Sequence, residues 1–249
     1  MMKLTVVGCS GSISGPDSPA SSYLLQAPHE DRIFSLLIDC GPGAMGALYR
    51  YMDPCEIDAI ALSHLHPDHC LDLCGYYVAA RYSPNAPWPR RPVYAPADAG
   101  SRLARAYEVT GNQREVSESG VLVCRALRLA YLAAQPADRT VHRPHCCVLP
   151  IRSTHTESAW RRMCPAAAPW CTPATPDHPR ICSSFADGVD LLLVESSFLD
   201  EPDNPPGMHL SGAQAAAIGT GRSSRCGSAH PHSALARTGA CPRRSEATL

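Results

Sequence analysis

His64-Leu65-His66-Pro67-Asp68-His69 is the segment that decides the fold. Four side chains of metal-ligand type fall within six positions, a density that core packing does not call for. Imidazole suits zinc and other borderline divalent ions, and a carboxylate adds charge. His64 and His66 lie two apart, so on an extended segment both point to one side. Asp68 and His69 come from the following turn and can face a second ion. The alternative is a solvated loop that happens to be rich in histidine. What precedes the cluster argues against it: Ile57 to Leu62 is a mostly apolar strand, interrupted by Asp58, that delivers the histidines at its C-terminal end. That is where α/β sheets carry their chemistry.

Upstream, Lys3 to Val7 reads as a short apolar strand followed by the glycine-rich loop Gly8-Cys9-Ser10-Gly11-Ser12. Ser22 to Gln26 and Phe34 to Ile38 are further strands, the latter ending in Leu36-Leu37-Ile38 just before Asp39. Gly41-Pro42-Gly43 turns the chain into a helix over Ala44 to Tyr51. Downstream, Tyr82 to Pro96 is rich in Pro and Arg and reads as loop. Ser101 to Val109 reads as a helix capped by Ser101. From about Val121 to Ser184 apolar periodicity is poor. Order resumes with a strand over Val189 to Glu195. Ser211 opens a helix with Gln214 three residues on, the spacing of a capping box. After Gly221 the pattern is lost again. Strands alternating with helices predict an α/β layer architecture.

The chain has 249 residues, enough for a sizeable core, and is read as one domain spanning 1–249. Its formal net charge is -1, so no global positive field draws it to nucleic acid. No apolar run reaches the roughly 18 residues that cross a bilayer. Val6-Val7-Gly8-Cys9 has the look of a lipoprotein cleavage box, but the apolar stretch before it is too short for a signal core of roughly 7–15 residues. It is read as a buried strand, the protein as cytoplasmic and without a membrane partner. Thirteen cysteines suggest no disulfide frame in a chain of this size. Eight of them fall within 121–184 and 221–249.

His-x-His-x-Asp-His after a strand resembles the metallo-β-lactamase superfamily, in particular the branch of ribonuclease Z and related cyclic-nucleotide phosphodiesterases. Leu4-Thr5-Val6-Val7-Gly8-Cys9-Ser10-Gly11, Ser21-Ser22-Tyr23-Leu24-Leu25 and Ile38-Asp39-Cys40-Gly41-Pro42-Gly43 match the same family. So do Val194-Glu195-Ser196-Ser197-Phe198 and His209-Leu210-Ser211-Gly212. The resemblance covers 1–120 and 186–220. It implies an αββα sandwich that holds two divalent ions, zinc first, with Mn2+ or Mg2+ as substitutes. It implies that His64 and His66 hold one ion, that Asp68 and His69 hold the other, and that Asp68 also orients the attacking water. Glu195 and His209 would form the pair that protonates the leaving oxygen. Asp39 would buttress the metal loop. A solvated strand end for Glu195, a helix-start neighbour for His209 and a turn former for Asp39 are the plainer alternatives. Arg81, Arg90 and Arg91 read as loop arginines before they read as phosphate ligands. A homodimer is a partner the resemblance also implies.

The family pattern asks for three more ligands. His155, in Thr154-His155-Thr156-Glu157-Ser158, matches a central histidine. A Ser-Gly-Asp-Thr turn and a late Thr-His-Ile are missing. Both return if the reading frame is shifted. Pro169 to Asp177 written as CCC TGG TGT ACT CCG GCG ACA CCG GAC, read from one base before the Trp codon, gives Leu-Val-Tyr-Ser-Gly-Asp-Thr. Ala229 to Ala236 written as GCT CAC CCA CAT TCC GCC CTG GCN, read from the second base, gives Leu-Thr-His-Ile-Pro-Pro-Trp. Stretches 121–184 and 221–249 are therefore read as frame-shifted, which also explains their excess of Cys, Pro, Trp and Arg. As written, the second ion lacks its bridging carboxylate, and His230 and His232 are not promoted to ligands.

Three outcomes follow. The first is a metal-dependent phosphodiesterase acting on a small cyclic nucleotide, with a tRNA 3' end as the rival substrate. No long basic arm for gripping tRNA is evident. The second is an inactive, frame-shifted product. The third, thioester or lactam hydrolysis, fits poorly with the blocks around Glu195 and His209.

Overall fold

Leu36-Leu37-Ile38 is apolar without alternation, and such a run belongs in a strand buried on both faces. The computed structural model places it there. It describes residues 2–96, 98–107, 122–126, 148–151, 191–194, 196–201, 203–204, 210–219, 229–230 and 233–235. The chain packs as two compact units, residues 1–128 and 129–248.

The first unit contains strands β1 (Lys3–Gly8), β2 (Ser22–His29), β3 (Arg32–Ile38), β4 (Ala59–Ala61), β5 (Arg91–Ala95) and β6 (Leu122–Ala126). Its helices are α1 (Ala44–Leu48), α2 (Pro67–Cys70), α3 (Leu73–Tyr82) and α4 (Ala99–Ala106). The six strands form one sheet in chain order. β1, β2 and β3 pair antiparallel, while β3, β4, β5 and β6 pair parallel. Parallel neighbours need crossover helices, and α1 to α4 supply them. The sheet's apolar residues Leu24, Leu37, Ile60 and Val93 pack in one core with Leu48, Leu73, Tyr76 and Leu103 from the helices. Leu36, Leu37 and Ile38 stand opposite Ala59, Ile60 and Ala61, so β3 and β4 end level with each other. Asp39 N–H donates to Ala61 O at 2.8 Å and continues that ladder by one step. The residues after the two strands, Asp39 and Ser63 onward, thereby emerge side by side.

Several expectations are corrected. Residues 82–96 are not all loop, because Arg91–Ala95 forms β5 between β4 and β6. Burial of Val93 and Ala95 and pairing on both sides outweigh a composition of Pro and Arg. Ser101 does not cap its helix. α4 starts at Ala99 with Asp98 as N-cap, and the Ser101 hydroxyl donates back to Asp98 O at 3.0 Å from inside the first turn. α1 ends at Leu48, and tighter turns carry the chain on, with Tyr51 N–H donating to Leu48 O. Strands also occur where periodicity fails: β6, β7 (Val148–Ile151), β9 (Ala229–His230) and β10 (Ser233–Leu235). Each is two to five residues, too short for a period to register.

The second unit holds β8 (Leu191–Val194) and α5 (Gly212–Gly219) with β7, β9 and β10. Its sheet runs β7-β8-β10-β9, all antiparallel. The capping box forms as expected at α5. Ser211 N–H donates to Gln214 Oε1 at 2.9 Å, and Gln214 N–H donates to the Ser211 hydroxyl at 3.3 Å. Asp200 adds its carboxylate to the same helix start, accepting from Ala213 N–H at 3.1 Å.

Gly41 joins the end of β3 to the metal-type loop at closest approach. A Cβ there would lie 1.9 Å from Asp68 O and 2.8 Å from Ala20 Cβ. Backbone on one side and a buried alanine on the other leave nothing to yield. Gly41→Ala is expected to cost about 1–3 kcal/mol in denaturant unfolding, as overpacking does. A change below a few tenths would mean that the loop moves freely away from β3.

Candidate metal centre

β4 stops at Ala61, Leu62 is buried, and the chain then crosses the sheet end through Ser63, His64 and Leu65. His66 is extended, at φ -65° and ψ 150°, and precedes α2, whose first residue is Pro67. Proline suits that position because its missing N–H is not needed there. The single turn of α2 turns His69 inward, and His69 is buried while His66 stays exposed. Two backbone bonds clamp the turn to the end of β3: Cys40 N–H to His69 O at 2.8 Å, and Asp72 N–H to Cys40 O at 3.0 Å.

His64 lies beside both other imidazoles. Ring centroids of His64 and His69 are 3.9 Å apart, and those of His64 and His66 are 4.7 Å apart. Asp68 Oδ2 lies 3.4 Å from His69 Nε2. Burial pulls the Asp68 carboxyl upward, but the hydrogen bond and charge of His69, a backbone N–H and the charge of His64 outweigh it and hold it at about 2. Each of the four residues predicted from the motif thus has another of them as a close neighbour on this loop. Of the remaining predicted site residues, His155, Glu195 and His209 lie outside the described residues.

Behind the loop sits Asp39, only 3% exposed and in the left-handed region at φ 57°. Its Oδ1 accepts from Ser63 N–H at 2.7 Å. Its Oδ2 accepts from His69 Nδ1 at 2.6 Å, from the Ser63 hydroxyl at 2.7 Å and from the Ser21 hydroxyl at 3.1 Å. A buried carboxylate needs such a set of donors. Sequence reasoning singled out Asp39 but missed Ser21 and Ser63. The available signal was the place of Ser63, between strand and first histidine.

Other residues are set aside by their contacts. Arg91 Nη2 donates to Cys55 O at 2.9 Å and ties the 3-10 turn Pro54–Glu56 to β5. Arg81 lies on α3 beside the Tyr77 hydroxyl. Cys70 follows His69, but burial pushes its thiol up to about 11, and it donates to His66 O at 3.2 Å. Its neutral thiol acts here as a hydrogen-bond donor to the backbone. Cys9, Cys40, Cys55, Cys70 and Cys74 are all free.

Among the described residues, no group of three or more His, Cys, Asp or Glu side chains is arranged to hold a metal ion. The donors present nevertheless fit one in kind. Three imidazoles and a carboxylate ionised near neutral pH are zinc-type ligands. The Asp39–His69 bond is the support that a ligating histidine receives from a carboxylate on its other nitrogen.

In the second unit, Ser197 and Phe198 run next to Leu210 and Ser211. Ser197 N–H and Phe198 N–H both donate to Leu210 O, at 3.1 and 3.2 Å, and Phe198 bridges to Ser211.

The chain is similar to known proteins. The family model of the metallo-beta-lactamase superfamily matches residues 15–135. The uncharacterized protein Rv1339 of Mycobacterium tuberculosis is 38% identical over 222 residues, covering 87% of this chain and 76% of that protein. Ribonuclease Z of Clostridioides difficile is 35% identical over 78 residues, 30% of this chain and 24% of that protein. The crystal structure of the metallo-beta-lactamase fold protein YhfI from Bacillus subtilis aligns at a TM-score of 0.40 and 20% identity. That alignment covers 80% of this chain and 64% of the YhfI chain, under two thirds of its length. The chain belongs to the metallo-β-lactamase superfamily and has its α/β fold. Members of that superfamily are mostly hydrolases and typically bind divalent metals. No helix among the described residues is long and apolar enough to cross a membrane.

Proposed function

We propose that the protein is a metal-dependent phosphodiesterase acting on a small cyclic nucleotide. The observation that carries this reading is the placing of His64 beside His66 and His69, and of Asp68 beside His69, on one loop, with Asp39 bonded to His69 from behind. His64, His66, Asp68 and His69, with His155, would hold the divalent ions, zinc first. Bound there, such ions polarise a phosphoryl oxygen and make water acidic enough to attack near neutral pH. Asp68 orients the attacking water through its carboxylate oxygen. Glu195 and His209 act as the acid pair: His209 gives its proton to the leaving oxygen as one P–O bond of the ring opens. The pairing of Ser197 and Phe198 with Leu210 supports bringing these two blocks to one task.

Charge supports the small substrate. A net charge of -1 supplies little of the counterion release on which a grip on RNA depends. The rival reading, tRNA 3'-end processing in the cytoplasm, is favoured by the 35% identity with ribonuclease Z. Assaying a cyclic nucleotide beside a tRNA precursor separates the two. Hydrolysis of the cyclic nucleotide alone is expected, abolished by a chelator and restored by zinc. Cleavage of the RNA alone would overturn the substrate, and activity that survives the chelator would overturn the metal.

We also infer that 1–249 is one domain in which 121–184 and 221–249 are translated out of frame. The missing Ser-Gly-Asp-Thr and Thr-His-Ile, each recovered where the family has it, support this. Sequencing the coding DNA across codons 115–190 and 215–249 tests it. An inserted or deleted base restores a full ligand set. Unaltered DNA instead predicts a chain that binds less than one metal per molecule and hydrolyses nothing.

A further inference from the structure

The Ser63 hydroxyl stands at a point where three acceptors or donors meet. Its Oγ lies 2.7 Å from Asp39 Oδ2, 3.0 Å from His64 Nδ1 and 3.1 Å from His69 Nδ1. Ser63 is itself buried, and its backbone N–H is held by the other oxygen of Asp39. No motif position assigns it a role.

We propose that Ser63 is a positioning residue whose single hydroxyl proton, committed to Asp39, sets the tautomer of His64, so that His64 presents Nε2 to a metal. This rests on reading the loop as metal-binding. The argument is a count of protons. A carboxylate oxygen only accepts, so Asp39 Oδ2 at 2.6 Å requires the proton of His69 to sit on Nδ1. A hydroxyl has one proton to give and two lone pairs to receive with. The shortest and charge-assisted of its contacts is Asp39, so the proton goes there. With its proton committed, the hydroxyl can only accept from His64, which must then carry its proton on Nδ1 as well. Nδ1 and Nε2 lie on opposite edges of the ring, so the His64 lone pair faces away from the Asp39–Ser63 pair. One serine thus passes the orienting effect of a buried carboxylate to a second histidine.

The test uses the full-length protein without metal, labelled with 15N, and long-range 1H–15N correlation of the imidazoles. Wild type and Ser63→Thr are expected to show His64 as the Nδ1–H tautomer and His69 with a proton on Nδ1. Ser63→Ala is expected to leave His69 unchanged and to shift His64 toward Nε2–H. Zinc affinity, read by competition with a chromogenic chelator, is expected to fall about 10–100-fold in Ser63→Ala, the usual loss for an outer partner of a ligand, and to recover in Ser63→Thr. An Nε2–H tautomer for His64 in wild type would overturn the proposal, and that measurement needs no variant to fold. Unchanged zinc affinity in a folded Ser63→Ala, or no recovery in a folded Ser63→Thr, would overturn it too. Wild-type protein that binds no zinc, with the His64 Nδ1–H tautomer present, sinks the metal reading instead.

Discussion

Asp39→Ala is expected to lose about 3–5 kcal/mol of folding stability, the loss seen when one partner of a buried charged network is removed. Four donors converge on that carboxylate: Ser63 N–H, the Ser63 and Ser21 hydroxyls, and His69 Nδ1. Alanine leaves them facing a small void with no acceptor, and each unsatisfied buried group carries its own desolvation cost. The backbone adds to this. Asp39 sits at φ 57°, where Asp and Asn are tolerated and a plain Cβ is strained. Asp39→Asn should therefore recover part of the loss. It keeps the side-chain shape and tolerance of that backbone, but it has one acceptor oxygen and cannot serve all four donors. Urea unfolding of the two variants beside wild type measures the difference. A loss below about 1 kcal/mol for Asp39→Ala would mean that water or a local rearrangement satisfies these donors, and the network would not be what holds the loop.

The second large effect concerns chemistry rather than stability. On the phosphodiesterase reading, Asp68→Asn should lower hydrolysis about 10²–10⁴-fold, the range for removing a group that works on a reacting proton. The exchange removes charge without opening a cavity. Asp68 is ionised at any working pH, because His69 and His64 hold its carboxyl at about 2 against the opposing effect of burial. Asparagine cannot supply that charge to an ion or to the attacking water. Because the side chain is partly exposed, the unfolding midpoint should stay close to wild type. Steady-state kinetics with a cyclic nucleotide at saturating zinc, run beside a denaturation curve, separates the two quantities. A loss under tenfold would remove Asp68 from the reaction.

Legibility differed along the chain for reasons that can be named. β2, β3 and β8 were readable because their apolar runs are continuous, whereas β1, expected to be buried, has only Val7 and Gly8 buried because it is the edge strand of its sheet. α5 was readable because Ser211 and Gln214 carry their capping signal locally. β5 was not, because Pro92 and its neighbouring arginines mask a strand that exists by virtue of partners on both sides. α4 was recognised but started in the wrong place, since Asp98 and Ser101 are both capping residues and only the chain path chooses between them.

By itself the sequence determined that a histidine–aspartate loop follows a buried strand, and hence the superfamily and the kind of ion such donors accept. It did so because ligand spacing and strand hydrophobicity are local properties written in consecutive residues. Tertiary structure decided which residues stand behind that loop. Asp39 is 30 positions from His69 and reaches it because β3 and β4 run parallel and end level. Ser63 becomes a junction between Asp39, His64 and His69 for the same reason. Gly41 must lack a side chain because Asp68 O passes where a Cβ would be. The contacts of Asp39 with His69 and Ser63, and of Gly41 with Asp68, join residues distant in sequence through the register of a sheet, and strand register is a property of the folded chain.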